Sequence, residues 1–279
     1  MGTTPLDIAK EYVSCRMLSK LHEQQILRVA GRLPSLEPAV INLYLKSRMA
    51  VVSSVTVANE RRIIVSLWRF AFDEGIVESP PRRVMKLRAA PPPVVAWTIA
   101  DLQTLVNTIP QMRQSTLQNG LSKGLFLETW VRIAYDTGAR YGDVFQFGDH
   151  HLHGDVLTWR TGKTGVACSR PLSDETMEVV RTWMREKRLA GAHVEREPWL
   201  SCVCCRRYSF AIMRKLLLLA GLDGSSKWLR RSAATHVESQ RPGSAQHFLG
   251  HTTSRVAEAH YLDRSQLAVD LPRPYRLTE

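Results

Sequence analysis

Apolar residues recur at helical spacing through most of the chain. A clear case is the segment SVTVANERRIIVSLWRFAFDEG, at residues 54–75. Four of its apolar residues would share one face of a helix: Ile64, Leu67, Trp68 and Ala71. Arg62 and Arg69 would project from the other side of that helix. The first part of the chain is therefore predicted to be helical, with a basic outer surface.

The second part of the chain begins with two further helical patterns. The segment TIADLQTLVNTI is predicted to form a helix capped by Thr98, with Asp101 in its first turn. The segment LFLETWVRIAYDTG has apolar residues on one stripe and is predicted to end at Gly138. Ser173 and Ser209 are predicted to cap two later helices.

One stretch has the alternation of strands instead. DVLTWRTGKTGVACSRPLS, at residues 155–173, alternates apolar and polar positions around a Gly-Lys-Thr-Gly turn. This pattern predicts a β-hairpin. The predicted fold class is therefore mainly α with a small antiparallel β-sheet (α+β).

A proline-rich segment divides the chain. KLRAAPPPVVAW, at residues 86–97, contains three consecutive prolines, which cannot continue a helix and hold the backbone extended. A chain of 279 residues also exceeds the usual size of one domain. We predict a helical domain at residues 1–90, a linker at residues 91–97 and a second domain at residues 98–279.

The charge balance indicates a polyanionic partner. The sequence has 38 Lys and Arg against 26 Asp and Glu, a formal net charge of +12. This excess favours nucleic acid over a neutral metabolite. In the first domain, Arg61, Arg62 and Arg69 are predicted to contact the DNA backbone, since phosphate neutralisation uses many modest cationic contacts. A solvated charged face is the simpler explanation for any one of these arginines.

The cysteines and the apolar runs narrow the class of protein further. Five cysteines, three of them in the segment SCVCC, favour free thiols over a disulfide framework. A structural zinc site usually takes two separated pairs of ligands, so we expect no metal. The longest apolar runs, such as LLLLA, are too short to span a membrane, and no signal-peptide pattern opens the sequence. We expect a soluble, intracellular protein.

Four motifs that carry phosphate-binding chemistry follow one another in the second domain. They are DTGARYGDVFQF at 136–147, TGKTGVACSRPL at 161–172, KWLRRSAATH at 227–236 and LGHTTSRVAEAHYLD at 249–263. In this order they resemble the catalytic domain of the tyrosine recombinases, the phage integrase family. The resemblance assigns six catalytic positions: Arg140, Lys163, Lys227, Arg230, His251 and Tyr261.

The resemblance implies a defined reaction. Tyr261 would attack a DNA phosphorus, and Lys163 would protonate the departing 5′ oxygen. Arg140, Arg230 and His251 would hold the phosphate, with Lys227 at a position where the family most often has histidine. The residue that accepts the proton of the tyrosine is left open.

Two positions have rivals. We choose Arg230 over the adjacent Arg231 because Arg230 lies one helical turn from Lys227 on the same face, and we place Arg231 among the DNA contacts. Tyr275 is the rival nucleophile, although it lies far beyond the last motif. The other histidines of this region, His236, His247 and His260, are interpreted as packing or surface residues.

The function implied is site-specific recombination of double-stranded DNA through a Holliday junction, with no cofactor. The implied architecture is a two-domain DNA clamp whose first domain resembles a core-binding domain, working as a homotetramer on DNA. The expected location is the cytoplasm of a prokaryotic cell, associated with the nucleoid, with the gene carried by the prokaryote or a phage. The alternatives are a DNA-relaxing enzyme of the type IB topoisomerase kind and a non-catalytic DNA-binding protein with the same fold.

Overall fold

The computed structural model of the protein describes residues 3–87, 93–192, 196–251 and 253–267. The chain divides into two compact units, Met1–Pro92 and Pro93–Glu279. Residues 91 and 92 of the predicted linker and the rival nucleophile Tyr275 lie outside the described residues. No helix in the described ranges is both long enough and apolar enough to cross a bilayer.

The first unit is built from helices. They are α1 (Pro5–Ser14), α2 (Lys20–Ala30), α3 (Pro38–Met49) and α4 (Ser54–Asp73). The long helix α4 packs against all three of the others. Its predicted apolar stripe is confirmed, because Ile64, Leu67, Trp68 and Ala71 are all buried. Arg62 and Arg69 are exposed, as their helical positions require.

The second unit is mainly helical with one small sheet. Its helices are α5 (Ile99–Thr108), α6 (Lys123–Thr137), α7 (Tyr141–Val144), α8 (Asp174–Leu189), α9 (Arg206–Leu219), α10 (Lys227–Gln240), α11 (Ser244–Phe248) and α12 (Ser254–His260). Its strands are β1 (Leu152–His153), β2 (Val156–Arg160) and β3 (Ala167–Pro171). They pair antiparallel in the order β1-β2-β3, and Trp159 lies opposite Cys168 in the register of β2 and β3. The predicted fold class and the predicted hairpin are both confirmed.

Helix α6 is the centre of this unit and contacts α7, α8, α9, α10 and β3. Residues from Gly124 to Val131 are buried without interruption, including the polar Glu128 and Thr129. Trp130 and Phe126 meet Phe145 and Trp183 in edge-to-face contacts, with ring centroids 5.1–6.1 Å apart in the Trp130–Phe145, Phe126–Phe145 and Phe126–Trp183 pairs. A helix surrounded in this way gives the residues at its end a rigid base.

Two predicted helix caps are confirmed and one is wrong. Thr98 and Asp101 form a reciprocal capping box, and Ser173 accepts the N–H of Thr176 at the start of α8. Ser209 does not begin a helix: α9 begins three residues earlier, after Cys205. The Ser209 hydroxyl donates back to the carbonyl of Arg206 at 2.8 Å instead. The three residues before Ser209 can all adopt helical conformation, so α9 begins at Arg206 and Ser209 lies within its first turn.

The end of the predicted linker is packed into the second unit. The N–H of Ala96 donates to the carboxylate of Asp263 at 3.0 Å, and the N–H of Trp97 donates to the hydroxyl of Ser232 at 2.8 Å. The indole N–H of Trp97 reaches the carbonyl of Asp223 at 2.8 Å. Residues 96 and 97 therefore join this segment to α10 and to the chain beyond α12.

A buried carboxylate connects two helices of the first unit. Glu60 on α4 is only 5% exposed and accepts hydrogen bonds from Arg48 at 2.9 Å and from Tyr44 at 3.0 Å, both on α3. Burial alone would raise the pKa of Glu60, but these hydrogen bonds and the charges of Arg48 and Arg32 outweigh it, so the net pKa lies below the ordinary value. The stabilisation is therefore present at neutral pH and is lost as the pH falls through the lowered pKa.

We predict that Glu60→Gln weakens the packing of α3 on α4. The amide keeps the size of the side chain but removes the charge that pairs with Arg48, so the free energy that protects these helices should fall by about 2 kcal/mol. Hydrogen exchange by mass spectrometry on the full chain, read in peptides from α3 and α4, measures this loss. Glu11→Gln, at an exposed position of α1, is the control. Equal protection in Glu60→Gln and the parent would contradict the prediction.

Candidate active site

Arg140 lies in the short connection between α6 and α7. Gly138 ends α6 in the left-handed conformation, with a φ of 57°, and the ring of Phe248 occupies the space that a Cβ would fill. Arg140 follows as the N-cap residue of α7. Its Nη1 is buried, and no residue in the described part of the chain accepts a hydrogen bond from it. A buried guanidinium N–H in this state is costly, and an external anion would satisfy it.

Arg230 comes from α10 and is 6% exposed. Its guanidinium donates to the carbonyl of Gly138 and, at 3.1 Å, to the carbonyl of Leu249. Burial lowers the pKa of Arg230 to about 10, and the charge of Arg140 acts in the same direction. Arg230 is therefore still a cation at neutral pH. Its Nε is a second buried donor without an acceptor among the described residues.

His251 packs beside Arg230 and has a defined tautomer. Its Nε2 lies 3.2 Å from Nη2 of Arg230, and because arginine only donates, Nε2 must be the acceptor. Burial, reinforced by the positive charges of Arg230, Arg140 and His260, lowers the pKa of His251 to about 4. The imidazole is thus neutral at pH 7 and carries its proton on Nδ1. This Nδ1 is buried and has no hydrogen-bond partner within the described ranges.

Tyr261 lies directly after α12 and is fixed through its backbone. Its N–H donates to the carbonyl of Ala257 at 2.9 Å, and its carbonyl accepts from the hydroxyl of Thr235 on α10 at 3.4 Å. The Tyr261 ring is half-buried, with the guanidinium carbon of Arg230 4.9 Å from its centroid and the ring of His251 5.0 Å away. The cation and the imidazole together define the surroundings of the phenol.

A buried aspartate holds the hairpin turn that carries Lys163. Asp143 of α7 is 8% exposed, and its Oδ1 accepts the N–H of Gly162 at 2.9 Å. The side chain of Lys163, the next residue, is exposed at the turn between β2 and β3. The turn is thus tied to α7, which Arg140 caps.

These residues surround one cleft of about 800 Å³. Its lining includes five of the six predicted catalytic residues: Arg140, Lys163, Lys227, Arg230 and Tyr261. The sixth, His251, contacts Arg230 and Tyr261. Arg231 and His260 also line the cleft. Positions that are separated by more than 100 residues in the sequence therefore share one strongly cationic site.

The wall of the cleft also contains residues that were not predicted from the sequence, among them Arg206 and Cys204. Arg206 lies at the start of α9, with its guanidinium carbon 5.4 Å from the ring centroid of Tyr141. Cys204 lies beside it, and burial together with the neighbouring Cys205 raises the pKa of the Cys204 thiol to about 12. The described residues contain no cluster of three or more His, Cys, Asp or Glu side chains suited to a metal ion. In the sequence, Arg206 stands out only as the first of two adjacent arginines that follow SCVCC.

The predicted DNA contacts of the first unit differ in their surroundings. The Nε of Arg61 donates to the carbonyl of Met85 at 2.7 Å, so this side chain is engaged with the unit's own backbone. Arg62 is exposed and donates to the side chain of Asn59 at 3.1 Å, and Arg69 is exposed. Arg62 and Arg69 are therefore better placed than Arg61 to meet a phosphate.

The structure also places one of the histidines interpreted as packing or surface residues. His236 on α10 is buried against Tyr135 of α6, with 2.8 Å between the tyrosine hydroxyl and Nδ1 of the histidine. Burial lowers the pKa of His236, so its imidazole is neutral at pH 7. This histidine therefore serves the packing of α10 on α6.

Solved structures of three DNA complexes share this fold. A lambda integrase dimer bound to a COC′ core site has 19% sequence identity and a TM-score of 0.73, with 96% of this chain and 98% of that chain covered. A lambda integrase tetramer bound to a Holliday junction has 20% identity and a TM-score of 0.65, covering 96% and 79%. The Tn1549 transposon integrase in complex with a circular intermediate DNA has 13% identity and a TM-score of 0.72, covering 93% and 95%. At these identities the likeness shows the fold.

The sequence itself identifies the family. No curated protein sequence matches this chain. The sequence model of the phage integrase family matches residues 101–267, a span that contains all four motifs and the whole cleft. The chain therefore belongs to the phage integrase family, the tyrosine recombinases.

Proposed function

We propose that this protein is a site-specific DNA recombinase that cuts and rejoins DNA strands through a 3′-phosphotyrosyl intermediate and a Holliday junction. One observation carries the proposal: Arg140, Arg230 and His251 each keep a buried nitrogen without an acceptor among the described residues, and all three lie around Tyr261. A phosphodiester supplies the oxygens that such donors require.

The first step uses Tyr261 as the nucleophile. Its phenolic oxygen, after losing its proton, attacks the phosphorus, and the bond from phosphorus to the 5′ oxygen breaks. The bond that forms joins the tyrosine to the 3′ phosphate, so the energy of the phosphodiester is kept for rejoining and no cofactor is needed. Attack by the 5′ hydroxyl of a partner strand reverses the step and releases Tyr261.

The arginines and the histidine would stabilise the negative charge of the transition state. Negative charge grows on the two non-bridging oxygens as the phosphorus becomes five-coordinate. Arg140 and Arg230 stay protonated and fixed, so they stabilise this charge without reorganising. The neutral His251 donates from Nδ1, because its Nε2 already accepts from Arg230. Lys227, exposed at the start of α10, adds a further cation at the rim.

Lys163 is the proposed proton donor to the departing 5′ oxygen. Its long side chain extends from a turn that Asp143 anchors, and it lines the cleft. A 5′ alkoxide leaves poorly without a proton, and an ammonium group at the cleft supplies one.

The wider proposal covers DNA and assembly. The first unit would act as a core-binding domain that contacts the duplex together with the catalytic unit, as a two-domain clamp. The similar lambda integrase tetramer is bound to a Holliday junction, which supports a homotetramer as the working form. The place of action would be the cytoplasm of a prokaryotic cell, on nucleoid or phage DNA.

The general experiment uses a nicked suicide duplex built on a binding site selected from random-sequence DNA. Loss of the short nicked strand after cleavage traps the covalent adduct, which is then counted on a denaturing gel. If the wild-type chain forms no adduct on its selected site, the result would favour the alternative of a non-catalytic DNA-binding protein. Relaxation of a plasmid that lacks the selected site would favour the topoisomerase alternative.

We predict that Tyr261→Phe abolishes the adduct while DNA binding survives. The ring still packs beside Arg230 and His251, and only the nucleophilic oxygen is removed. The adduct assay and a binding titration, run side by side, measure the two properties. Tyr275→Phe is the matched control and should form adducts normally. Adducts in Tyr261→Phe, together with their absence in Tyr275→Phe, would make Tyr275 the nucleophile.

We predict that Lys163→Ala cleaves normal DNA slowly but recovers on a substrate with sulfur at the 5′ bridging position. A thiolate leaves without a proton, so the missing acid no longer matters, and the rate deficit of about 10²–10⁴ should largely disappear. Single-turnover cleavage of both substrates measures this recovery. Arg140→Ala is the comparison and should stay slow on both, because it acts on the other oxygens. Equal deficits of Lys163→Ala on both substrates would assign the acid elsewhere.

We predict that the first unit contributes to the salt dependence of DNA binding. Replacing both Arg62 and Arg69 by Ala should reduce the slope of log affinity against log salt by roughly 0.9 for each phosphate that these arginines neutralise. A salt titration of the full chain on duplex DNA gives the slope. Lys10→Ala, whose ammonium is paired with Asp7 at 3.2 Å, is the control. An unchanged slope in the double variant would remove these arginines from the DNA interface.

A further inference from the structure

Arg170 on β3 is joined to the end of α11. Its Nε donates to the carbonyl of Phe248 at 3.0 Å, and its Nη2 lies 2.5 Å from the carbonyls of both His247 and Phe248. Its guanidinium carbon is also 5.4 Å from the ring centroid of Phe248. The side chain is half-buried, and burial lowers the pKa of Arg170, which remains a cation at neutral pH.

These carbonyls lie at the C-terminal end of the short helix α11, and that of His247 also accepts the N–H of Gly250 at 3.1 Å. The last carbonyls of a helix have no N–H within the helix to accept from, and a cation at that end is favourable. The next carbonyl along the chain, that of Leu249, accepts from Arg230 at 3.1 Å. Three consecutive carbonyls, at residues 247, 248 and 249, are therefore held by two arginines from two different elements.

The held segment leads directly to His251. Gly250 adopts the left-handed conformation, with a φ of 64°, and a Cβ there would lie 2.7 Å from the sulfur of Cys168 on β3. Strand β3 and the segment 247–251 thus meet without spare space. This backbone contacts β3 on one side and Arg230 on the other, and the N–H of His251 donates to the carbonyl of Gln246 at 2.9 Å.

We propose that Arg170 is a positioning residue for the cleavage reaction, which holds the segment 247–251 so that His251 keeps its place between Arg230 and Tyr261. The proposal rests on the proposed function. Arg170 and Lys163 belong to the same hairpin, so this hairpin would carry the proton donor at its turn and fix the phosphate-binding histidine through its second strand.

A DNA contact is the other role open to an arginine in so basic a protein. The geometry favours positioning, because Nε and Nη2 of Arg170 already donate to backbone carbonyls, and Nη1 lies 2.5 Å from the carbonyl of Ser169. The two roles differ in what they change. Removal of a DNA contact weakens affinity, whereas removal of a positioning contact lowers the rate at saturating DNA.

The test compares Arg170→Gln and Arg170→Lys in the full chain. The readouts are single-turnover adduct formation at saturating suicide duplex and the DNA dissociation constant. Arg170→Gln should lower the rate by about 10- to 100-fold, since a misplacement of about 1 Å can cost this much, and leave affinity within about twofold. Arg170→Lys should recover part of the rate, because one ammonium replaces the charge but not the fork. Arg181→Gln, at an exposed position of α8, is the matched control.

A second readout follows His251 itself by NMR titration of its ring, assigned by the absence of its signal in His251→Gln. The groups that face this ring are Arg230, Arg140, His260 and Tyr261. In the parent chain the pKa of His251 lies near the low value that burial sets, about 4. A loosened segment in Arg170→Gln would hydrate the ring, and its pKa should rise toward the ordinary value of about 6.5.

The outcomes separate the two proposals. A wild-type chain without adducts would contradict the proposed function, whatever Arg170 does. Wild-type adducts with an unchanged rate and His251 titration in Arg170→Gln would overturn the positioning role, and so would weakened DNA affinity with an unchanged rate. If Arg170→Gln does not fold, Arg170→Lys decides: a slower rate at parental affinity supports the role, and the parental rate contradicts it.

Discussion

The site depends on one buried guanidinium, that of Arg230. It joins the end of α6 through the carbonyl of Gly138, the loop after α11 through the carbonyl of Leu249, and the imidazole of His251. The ring of Tyr261 packs against the same group. Removing a cation from water is costly unless polar groups replace the water, and here the replacement comes from the backbone and side chains that line the candidate site. The burial of one charge thus fixes the geometry of the others.

Cations outnumber carboxylates at this site, where the buried Asp143 is close enough to raise the pKa of Arg230. The charge of Arg140 is close enough to lower the pKa of Arg230, and both arginines depress the pKa of His251. Three buried nitrogens around Tyr261 have no acceptor in the described part of the protein. A DNA phosphate would relieve the repulsion and fill these hydrogen bonds together. The folded chain therefore holds its donors in place before any DNA arrives, which is the condition for electrostatic catalysis.

Much of the fold was predictable from local signals. The capping box at Thr98, the stop of α6 at Gly138 and the hairpin around Lys163 each depend on a few neighbouring residues, and each is confirmed. Ser209 shows the limit of this approach, since its hydroxyl bonds within α9 and to Tyr141 rather than capping the helix. A serine hydroxyl can cap a helix or bond to a carbonyl within it, and its tertiary partner decides which of the two it does.

The candidate site was predictable only as a set of residues. Thr235 holds the carbonyl of Tyr261 and accepts the N–H of Asp263, whose carboxylate in turn accepts from Ala96. These contacts span up to 167 residues of sequence, and neither periodicity nor motif spacing encodes them. Arg170 likewise stood in the hairpin motif without a role, because its partners are backbone carbonyls 77 and 78 positions away. Backbone acceptors leave no trace in side-chain patterns.

The most direct measurement is a crystal structure of the Tyr261→Phe chain bound to a duplex that carries its selected site. We predict one DNA phosphate beside the substituted ring, with its oxygens within about 3.2 Å of Nη1 of Arg140, Nε of Arg230 and Nδ1 of His251. A DNA complex in which the nearest phosphate lies elsewhere, with these three nitrogens still unpaired or bonded to protein groups, would contradict this prediction.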